Sequence, residues 1–389
     1  MGCKSCEPKF AYNALVLRKE YSGVENMVHD FLWAWDESGP FPLKVYVPSE
    51  TPLPLPGESE RLKLQRVPLA GRSRLARIAA EHLWLPGQLR RDGAEVLHAP
   101  VYITPVGAPC RLIVTVHDLH VYTHPHSCTL TNRLYYRLFM PQSLRAATTI
   151  VVYSDYVKRM LAEHLPQVAN KVVTVLPGIN RIFSVLNGYT GYAAVERKFN
   201  LPQRYLLFVG DVAPRKNLPR LLRAFREIAV EQPDLQLVVA GQLAHTAEER
   251  LRFVIAGLGL QQRVRLIGYV AREVLPALYW GAEVVALPSL DEGFGLPLLE
   301  ALACGTAVVG GPGGAAEVCH EAVAHCDPYS VESITAALRQ QLRGGAQREK
   351  ALAQGLAQVQ RFSWRRHVAA MADIYREARC GHGVAAARC

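Results

Sequence analysis

The stretch Glu283-Val284-Val285-Ala286-Leu287-Pro288-Ser289-Leu290-Asp291-Glu292-Gly293-Phe294-Gly295-Leu296-Pro297-Leu298-Leu299-Glu300-Ala301 carries the reading of the fold. It opens on a short apolar run suited to a strand covered on both faces. It closes on a helix, near Pro297–Cys304, with its proline in the first turn where no backbone N–H is needed. A strand passing through a Gly-containing loop into a helix is one βα unit of a parallel sheet. The helix start leaves N–H groups unpaired, so an anion suits this loop, and Gly293 and Gly295 let backbone approach a ligand closely. Glu292 and Glu300 stand with seven residues between them, one before the helix and one inside it. As bare carboxylates near a helix start they would also be favoured by its dipole.

The same grammar extends in both directions. In the second half, strands are expected at Tyr205–Val209, Leu235–Ala240, Val264–Ile267 and Ala307–Val309, with helices near Leu218–Val230, Ala247–Leu258, Glu273–Tyr279 and Val331–Leu342. In the first half, strands are expected near Ala11–Leu17, Leu43–Val47, Glu95–Ala99, Leu112–His117, Thr149–Tyr153 and Val172–Leu176. Helices are read there near Val24–Trp35, Ser73–Leu89, Leu130–Ala146 and Asp155–His164. The pattern loosens between Asn180 and Asn200. The class is therefore α/β, with two doubly wound Rossmann-like domains over 1–185 and 186–363 facing a cleft. The amphipathic stretch 364–380 follows the second unit and is expected to cross back to the first. A length of 389 residues agrees with two cores rather than one.

Composition excludes several classes. Half of the residues are apolar and 20% are charged, which rules out extensive disorder. No apolar run reaches the roughly 18 residues that span a bilayer, and the N-terminus lacks a basic-then-apolar signal layout. Met1-Gly2-Cys3-Lys4-Ser5-Cys6 fails as a myristoylation signal because Cys6 stands where Ser or Thr is needed. Nine scattered cysteines fit a reducing compartment, and Cys3-x-x-Cys6 has no second pair for zinc. The expected compartment is the cytoplasm. The net charge of +10 concentrates between Arg61 and Arg91, where Arg61, Lys63, Arg66, Arg72, Arg74, Arg77, Arg90 and Arg91 face Glu81 alone. Two readings stand: a solvated helix face, or attraction to a phosphate-bearing acceptor or to anionic lipid at the inner face of the membrane. Nucleic acid is not expected, because no aromatics interleave and no binding motif accompanies the charges.

Ligands of doubly wound sheets bind beyond the carboxyl ends of the strands, and the remaining motifs fall there. Leu207-Phe208-Val209-Gly210-Asp211-Val212-Ala213-Pro214-Arg215-Lys216-Asn217 is a strand, a turn and a helix start with two cations at its mouth. Arg215 offers a planar fork and Lys216 a compact charge, and together they can clamp phosphate groups. Ile267-Gly268-Tyr269-Val270 ends a strand, with Tyr269 equally readable as a packing residue. Tyr21-Ser22-Gly23-Val24-Glu25 joins the first strand to its helix, and Ser22 also fits an N-cap. Val116-His117-Asp118-Leu119 sets a His-Asp pair at a strand end. His117, His120, His124 and His126, with Cys128, invite a zinc reading, but their spacing fits no closed zinc pattern. None of the Asp residues stands two positions from another, so no Asp-x-Asp pair is present to hold a divalent cation and no metal is expected.

Residues 288–301, with Glu292-Gly293-Phe294-Gly295-Leu296 and Glu300-Ala301, resemble the Glu-(seven residues)-Glu signature of retaining glycosyltransferases of family four, which have the GT-B fold. Pro214-Arg215-Lys216-Asn217, His117-Asp118-Leu119 and Gly23 resemble that family's phosphate site, donor-facing histidine and glycine turn. The resemblance covers nearly the whole chain. It implies that Glu292 holds hydroxyls of the donor sugar, that Glu300 holds the ribose hydroxyls, and that Tyr269 and Val270 seat the base through backbone groups. It also places Gly210, Gly293, Phe294, Gly295 and Leu296 in the donor site. Pro177-Gly178-Ile179-Asn180 and Gly313-Gly314-Ala315-Ala316-Glu317 fit the family pattern loosely and are read as structural.

The implied activity is metal-independent transfer of a hexose from a nucleotide diphosphate sugar to a hydroxyl acceptor, a glycan or a polyprenyl-linked sugar. No cofactor is expected. Bacterial polysaccharide mannosyltransferases share the look of the His-Asp-Leu and Pro-Arg-Lys-Asn pairing, which favours GDP-mannose as donor. A nucleotide-sugar binding protein without transfer activity is the alternative. A dinucleotide oxidoreductase is not, because the first turn lacks Gly-x-Gly-x-x-Gly.

Overall fold

A computed structural model of the chain describes residues 10–17, 23–51, 54–67, 73–185, 191–242 and 245–381. Two compact units divide it: Met1–Gly178 with Phe362–Cys389, and Ile179–Arg361. The division falls ahead of the expected position 185 because the intervening residues belong to the second unit. Phe183 meets the ring of Tyr279, and the carbonyl of Ser184 accepts the indole N–H of Trp280 at 2.7 Å.

The first unit is built on β1 (Phe10–Asn13), β2 (Leu43–Pro48), β3 (Leu62–Val67), β4 (Val96–Ala99), β5 (Arg111–Val116), β6 (Thr149–Val152) and β7 (Val172–Thr174). All pairings are parallel and the order is β3-β2-β1-β4-β5-β6-β7. Strand order therefore reverses between β1 and β4, and the ligand-accessible crevice of such a sheet opens at that point. Every residue of β1, β4 and β6 is buried, the polar Asn13, His98 and Thr149 included, as suits parallel strands covered on both faces.

Edge strand β3 escaped the sequence reading. Arg61, Lys63 and Arg66 lie in or beside it rather than on a helix face, so the single solvated helix inferred for 61–91 is corrected. Leu62 and Val67 at its two ends are buried, in different core clusters on opposite faces of the sheet, while Lys63 and Arg66 project to solvent, so no period-2 alternation marks the strand. Charged edges also discourage pairing with another chain. The helical part of the segment runs from Arg74 to Asp92, with one wider π turn at Ala80–Trp84.

The helix Trp364–Arg379 packs on the helix Gly23–Ser38 within this unit, as expected for a returning segment. Val368, Met371, Ala372, Tyr375 and Ala378 join Phe10, Phe31 and Trp35 in one buried cluster. The spacing of those five residues is the i, i+3, i+4 stripe of a helix with one buried face. Fully burying each larger aliphatic contributes about 1.5–3 kcal/mol.

The second unit carries β8 (Tyr205–Val209), β9 (Gln236–Ala240), β10 (Val264–Gly268), β11 (Val284–Leu287), β12 (Ala307–Gly310) and β13 (Val323–His325), again parallel, in the order β10-β9-β8-β11-β12-β13. Order reverses between β8 and β11. The two loops singled out by sequence, 210–217 and 288–295, leave these neighbouring strands. Short β13 and the helices Tyr192–Phe199 and Ala346–Val359 were not foreseen: β13 has three residues, and the helices bury few side chains, Val195 in the first and Val359 in the second.

Candidate functional site

The order reversal in the second sheet places Lys216 and Glu292 side by side. Pro214–Lys216 forms one short 3₁₀ turn after β8, and the carbonyl of Arg215 accepts the N–H of Leu290 at 2.7 Å, stitching the two loops together. Lys216 Nζ then donates to Glu292 Oε1 at 2.6 Å, and Arg215 Nη1 lies 3.5 Å from Glu292 Oε2. Ser289 Oγ donates to the same Oε1 at 2.6 Å. Burial by itself would raise the Glu292 pKa. The charges of Lys216 and Arg215, with the hydrogen bonds from Lys216 and Ser289, outweigh it and pull the carboxyl down to about 2. Glu292 is thus an anion and an acceptor at any physiological pH, unsuited to giving up a proton. Lys216 is only 6% exposed and Arg215 half-buried, so two cations are held at a strand end rather than spread in solvent.

Backbone geometry explains the glycines on either side. Gly295, at φ +92°, precedes the helix Leu296–Ala303 in a conformation that side chains resist, and its carbonyl receives the N–H of Leu298. Gly313 pairs with Glu292 in an isolated parallel bridge, and a Cβ there would sit 2.7 Å from Glu292 Cβ. The turn read as structural from sequence therefore also backs the site glutamate. Gly210 ends β8, donates to the carbonyl of Ala240 at 2.9 Å, and lies under the Lys216 side chain. Gly293 and Phe294 are buried, and Phe294 accepts the N–H of Ala315 at 2.6 Å. Leu296 opens the helix, and Glu300 is buried on it, accepting from Tyr279 Oη at 2.8 Å. Burial, then the neighbouring Glu300, holds the Tyr279 phenol well above its usual pKa, so it stays a donor. Tyr269, beyond β10, is 57% exposed, which removes the packing reading; Val270 beside it is buried.

Asn217 was quoted in the motif without a role. It adopts a left-handed conformation (φ +60°, ψ +27°) and donates through Nδ2 to the carbonyls of Pro288 and Pro328 at 2.9 and 2.6 Å, while Arg220 Nη1 donates to its Oδ1. It ties the cation turn to the glutamate loop. Ser289 and Tyr279 were also missed. Ser289 lies three residues before Glu292 and was legible as a hydroxyl in the loop, whereas Tyr279 sits on another helix, Leu275–Gly281, with no spacing signal.

In the first unit, His117 leaves β5 buried, with Nε2 donating to the carbonyl of Pro100 at 2.7 Å and its ring edge-on to Tyr102 and Tyr153. A carbonyl only accepts, so the proton sits on Nε2 and Nδ1 remains the acceptor. Burial lowers its pKa, opposed by the Pro100 bond, by Asp118 and by Glu25 in the first turn of the Gly23–Ser38 helix. Residues 18–22 of the glycine turn lie outside the described residues, as do Cys3, Cys6 and Arg72. Asp118 accepts from Tyr102 Oη at 2.7 Å and from the N–H of His120 at 3.1 Å, which fixes the loop. Of the neighbouring histidines, His120 and His124 meet edge to face with ring centroids 6.5 Å apart, His124 also contacts Thr123, and His126 is exposed. Among the described residues no group of three or more His, Cys, Asp and Glu side chains is arranged to hold a metal ion. No described helix is long and apolar enough to cross a membrane.

Two family models match the two halves: Glycosyltransferase Family 4 over residues 21–181 and Glycosyl transferases group 1 over residues 194–356. The O-antigen chain mannosyltransferase B of Escherichia coli is 31% identical over 273 residues, covering 69% of this chain and 71% of that protein. The D-inositol 3-phosphate glycosyltransferase of Salinispora tropica is 36% identical over 236 residues, 54% of this chain and 47% of that protein, so the match spans about half of its length. Among solved structures, sucrose-phosphate synthase from Thermosynechococcus elongatus superimposes with a TM-score of 0.75 at 19% identity, covering 95% of this chain and 98% of that one. Anabaena HepE in complex with UDP and glucose gives 0.72 at 17%, covering 95% and 100%. The chain belongs to the glycosyltransferases of GT-B fold.

Proposed function

We propose that this chain transfers a hexose, with retention and without a metal ion, from a nucleotide diphosphate sugar to a hydroxyl of a glycan or polyprenyl-linked acceptor. The observation that carries the reading is the Lys216–Glu292–Arg215 cluster at the order reversal of the second sheet. With donor bound, Lys216 and Arg215 face the diphosphate and Glu292 accepts from sugar hydroxyls. Glu300, oriented by Tyr279, accepts from the ribose, and the base meets backbone at Tyr269 and Val270. The C1–O bond to phosphate breaks as the acceptor oxygen bonds C1 on the same face, and the acceptor proton passes to the departing phosphate oxygen. The extra negative charge on that phosphate falls where two preorganised cations stand, an arrangement that favours the transition state over the ground state. In the first unit, His117 offers Nδ1 to a sugar hydroxyl.

Mannose is the sugar this reading favours, with GDP as the nucleotide, supported by relatives named mannosyltransferases, including the O-antigen enzyme and the serotype-specific WbdA of Escherichia coli. The former's name also supports a polysaccharide acceptor. The test is a thermal-shift screen of GDP, UDP, ADP and dTDP with their sugars, followed by anomer-resolved NMR of the product. A true donor stabilises the fold by mass action. No shift with any of them, or a product of inverted configuration, overturns the reading.

A further inference from the structure

The Arg61–Arg91 run does not form one free basic surface. Arg61 donates to the carbonyls of Asp36 and Glu37, Arg66 to Ser49, and Arg77 is buried beside Glu81. A different surface of the first unit combines charge with exposed apolar groups. On the helix Leu130–Ala146, Leu130, Leu134 and Leu138 recur every fourth residue and stand about 60% exposed, where apolar side chains at that spacing normally face a core. Arg133 and Arg137 follow two of them at i+3, Arg145 is exposed at the far end, and the helix carries no acidic residue.

Helix 74–92 adjoins it. Arg74 Nη1 donates to Asn132 Oδ1 and its guanidinium lies over the ring of Tyr135, while His82 Nε2 meets Tyr135 Oη at 3.2 Å. His82 Nδ1 in turn accepts the N–H of Val106, and Arg90 donates to Gly107. Leu75, Leu83 and Val106 are exposed too, Leu83 by 82%. The acids within these two segments, Glu81 and Asp92, are engaged elsewhere: Glu81 with Asn13 and Arg77, Asp92 with Lys44, Tyr46 and Gln88.

We propose that the Leu130–Ala146 helix, with the adjoining Leu75–Leu83 ridge, is the surface on which this unit lies against an anionic lipid bilayer. Solvent-facing leucines beside arginines, on helices without free acids, have the composition of an interfacial helix, whose apolar side chains enter the acyl boundary while its cations meet lipid phosphates. A protein partner fits less well, since binding hot spots favour Trp, Tyr and Arg set in pockets and leucine is under-represented among them. The proposal stands independently of the sugar donor.

Flotation of the full chain with phosphatidylglycerol–phosphatidylcholine vesicles, and with phosphatidylcholine alone, tests it. Binding is expected to require the anionic lipid, to weaken with salt, and to fall about tenfold or more in Leu134→Gln/Leu138→Gln and in Arg133→Gln/Arg137→Gln. Lys63→Glu, on the edge strand, is expected to change it little. An unaltered melting temperature shows that each variant folds. Failure of the wild type to bind anionic vesicles overturns the proposal, as does equal binding by the leucine variant. A concentration-dependent dimer that the leucine variant abolishes would assign the ridge to a second copy and overturn it equally.

Discussion

Lys216 Nζ and Glu292 Oε1 stand 2.6 Å apart, joined from two loops that leave adjacent strands, and the buried cation and the half-buried carboxylate compensate one another. Removing Lys216 leaves Glu292 only Ser289 and the more distant Arg215, so the pair couples the loops as well as holding charge. The sign of its pH dependence follows. The folded pKa of Glu292 is depressed from 4.5 to about 2, so its contribution is full above 4.5 and lost as pH falls toward 2. Lys216→Met is expected to raise that pKa and to bring the acid loss of second-unit stability to higher pH. Urea titrations across this window check it, and an unchanged profile would separate Glu292 from Lys216.

The first unit should lose stability earlier, through buried histidines. His98 donates or accepts at Tyr375 Oη and Thr115 Oγ1, and His367 Nδ1 donates to the carbonyl of Leu176. Burial lowers the pKa of His98 to about 3, that of His367 to about 4, and that of His117 as well. The unfolded chain takes protons near 6.5 that the folded unit refuses, so stability falls as pH drops below 6.5 and continues to fall toward each folded pKa. Each histidine contributes up to about 1.4 kcal/mol per pH unit in that window. Denaturant melts at neutral and mildly acid pH, read by tyrosine and tryptophan signals, are expected to show a first transition moving while the second holds.

Asn217 separates two costs that usually coincide. Asn217→Ala removes the two hydrogen bonds to carbonyls and the one from Arg220, and puts alanine, which lacks asparagine's tolerance of the left-handed region, at φ +60°, each worth about 1–3 kcal/mol. Asn217→Gly removes only the bonds. Both are expected to lower stability, alanine more, and both to lower kcat by loosening the register of Lys216 against Glu292. If glycine matches alanine in stability, the left-handed conformation costs nothing here.

Much of this site was legible because it lies in local motifs. A strand, a Gly-containing loop and a proline-started helix fix where Glu292 and Glu300 sit, and Pro214-Arg215-Lys216 ends the adjacent strand. What sequence hid is what depends on packing between elements. Tyr279 reaches Glu300 from another helix, Gly313 backs Glu292 from a third loop, and β3 was masked by the charges that protect its edge. The basic run misled for a related reason: counting arginines does not show which of them bond to backbone carbonyls, as Arg61 does.

Turnover is expected to persist in EDTA. The charge that develops on a leaving diphosphate needs compensation, and Arg215 and Lys216 are held where they can supply it. Lys216→Ala should therefore lower kcat by about 10²–10³ with a smaller change in donor KM. Loss of activity in EDTA, restored by magnesium or manganese, would transfer that task to a metal.

Glu300 should behave differently from Lys216, and Tyr279 shows why. A ribose contact is made equally in the ground state and the transition state, so losing it raises KM and leaves kcat nearly unchanged. Glu300→Ala is expected to weaken donor binding by about 1–3 kcal/mol, the range for a hydrogen bond to a charged group. Tyr279→Phe keeps the ring in its buried place and removes only the hydroxyl that holds Glu300 Oε2 at 2.8 Å. The carboxylate then loses its orientation but not its charge, and the expected effect is a donor KM raised by a few-fold, about 1 kcal/mol, with kcat preserved. The double variant discriminates further. If Tyr279 acts through Glu300, Tyr279→Phe adds almost nothing once Glu300 is alanine, because interacting residues are not additive. Additive losses in the double variant, or a fall in kcat in Tyr279→Phe alone, would show that the tyrosine serves the packing of its helix and not the position of the carboxylate.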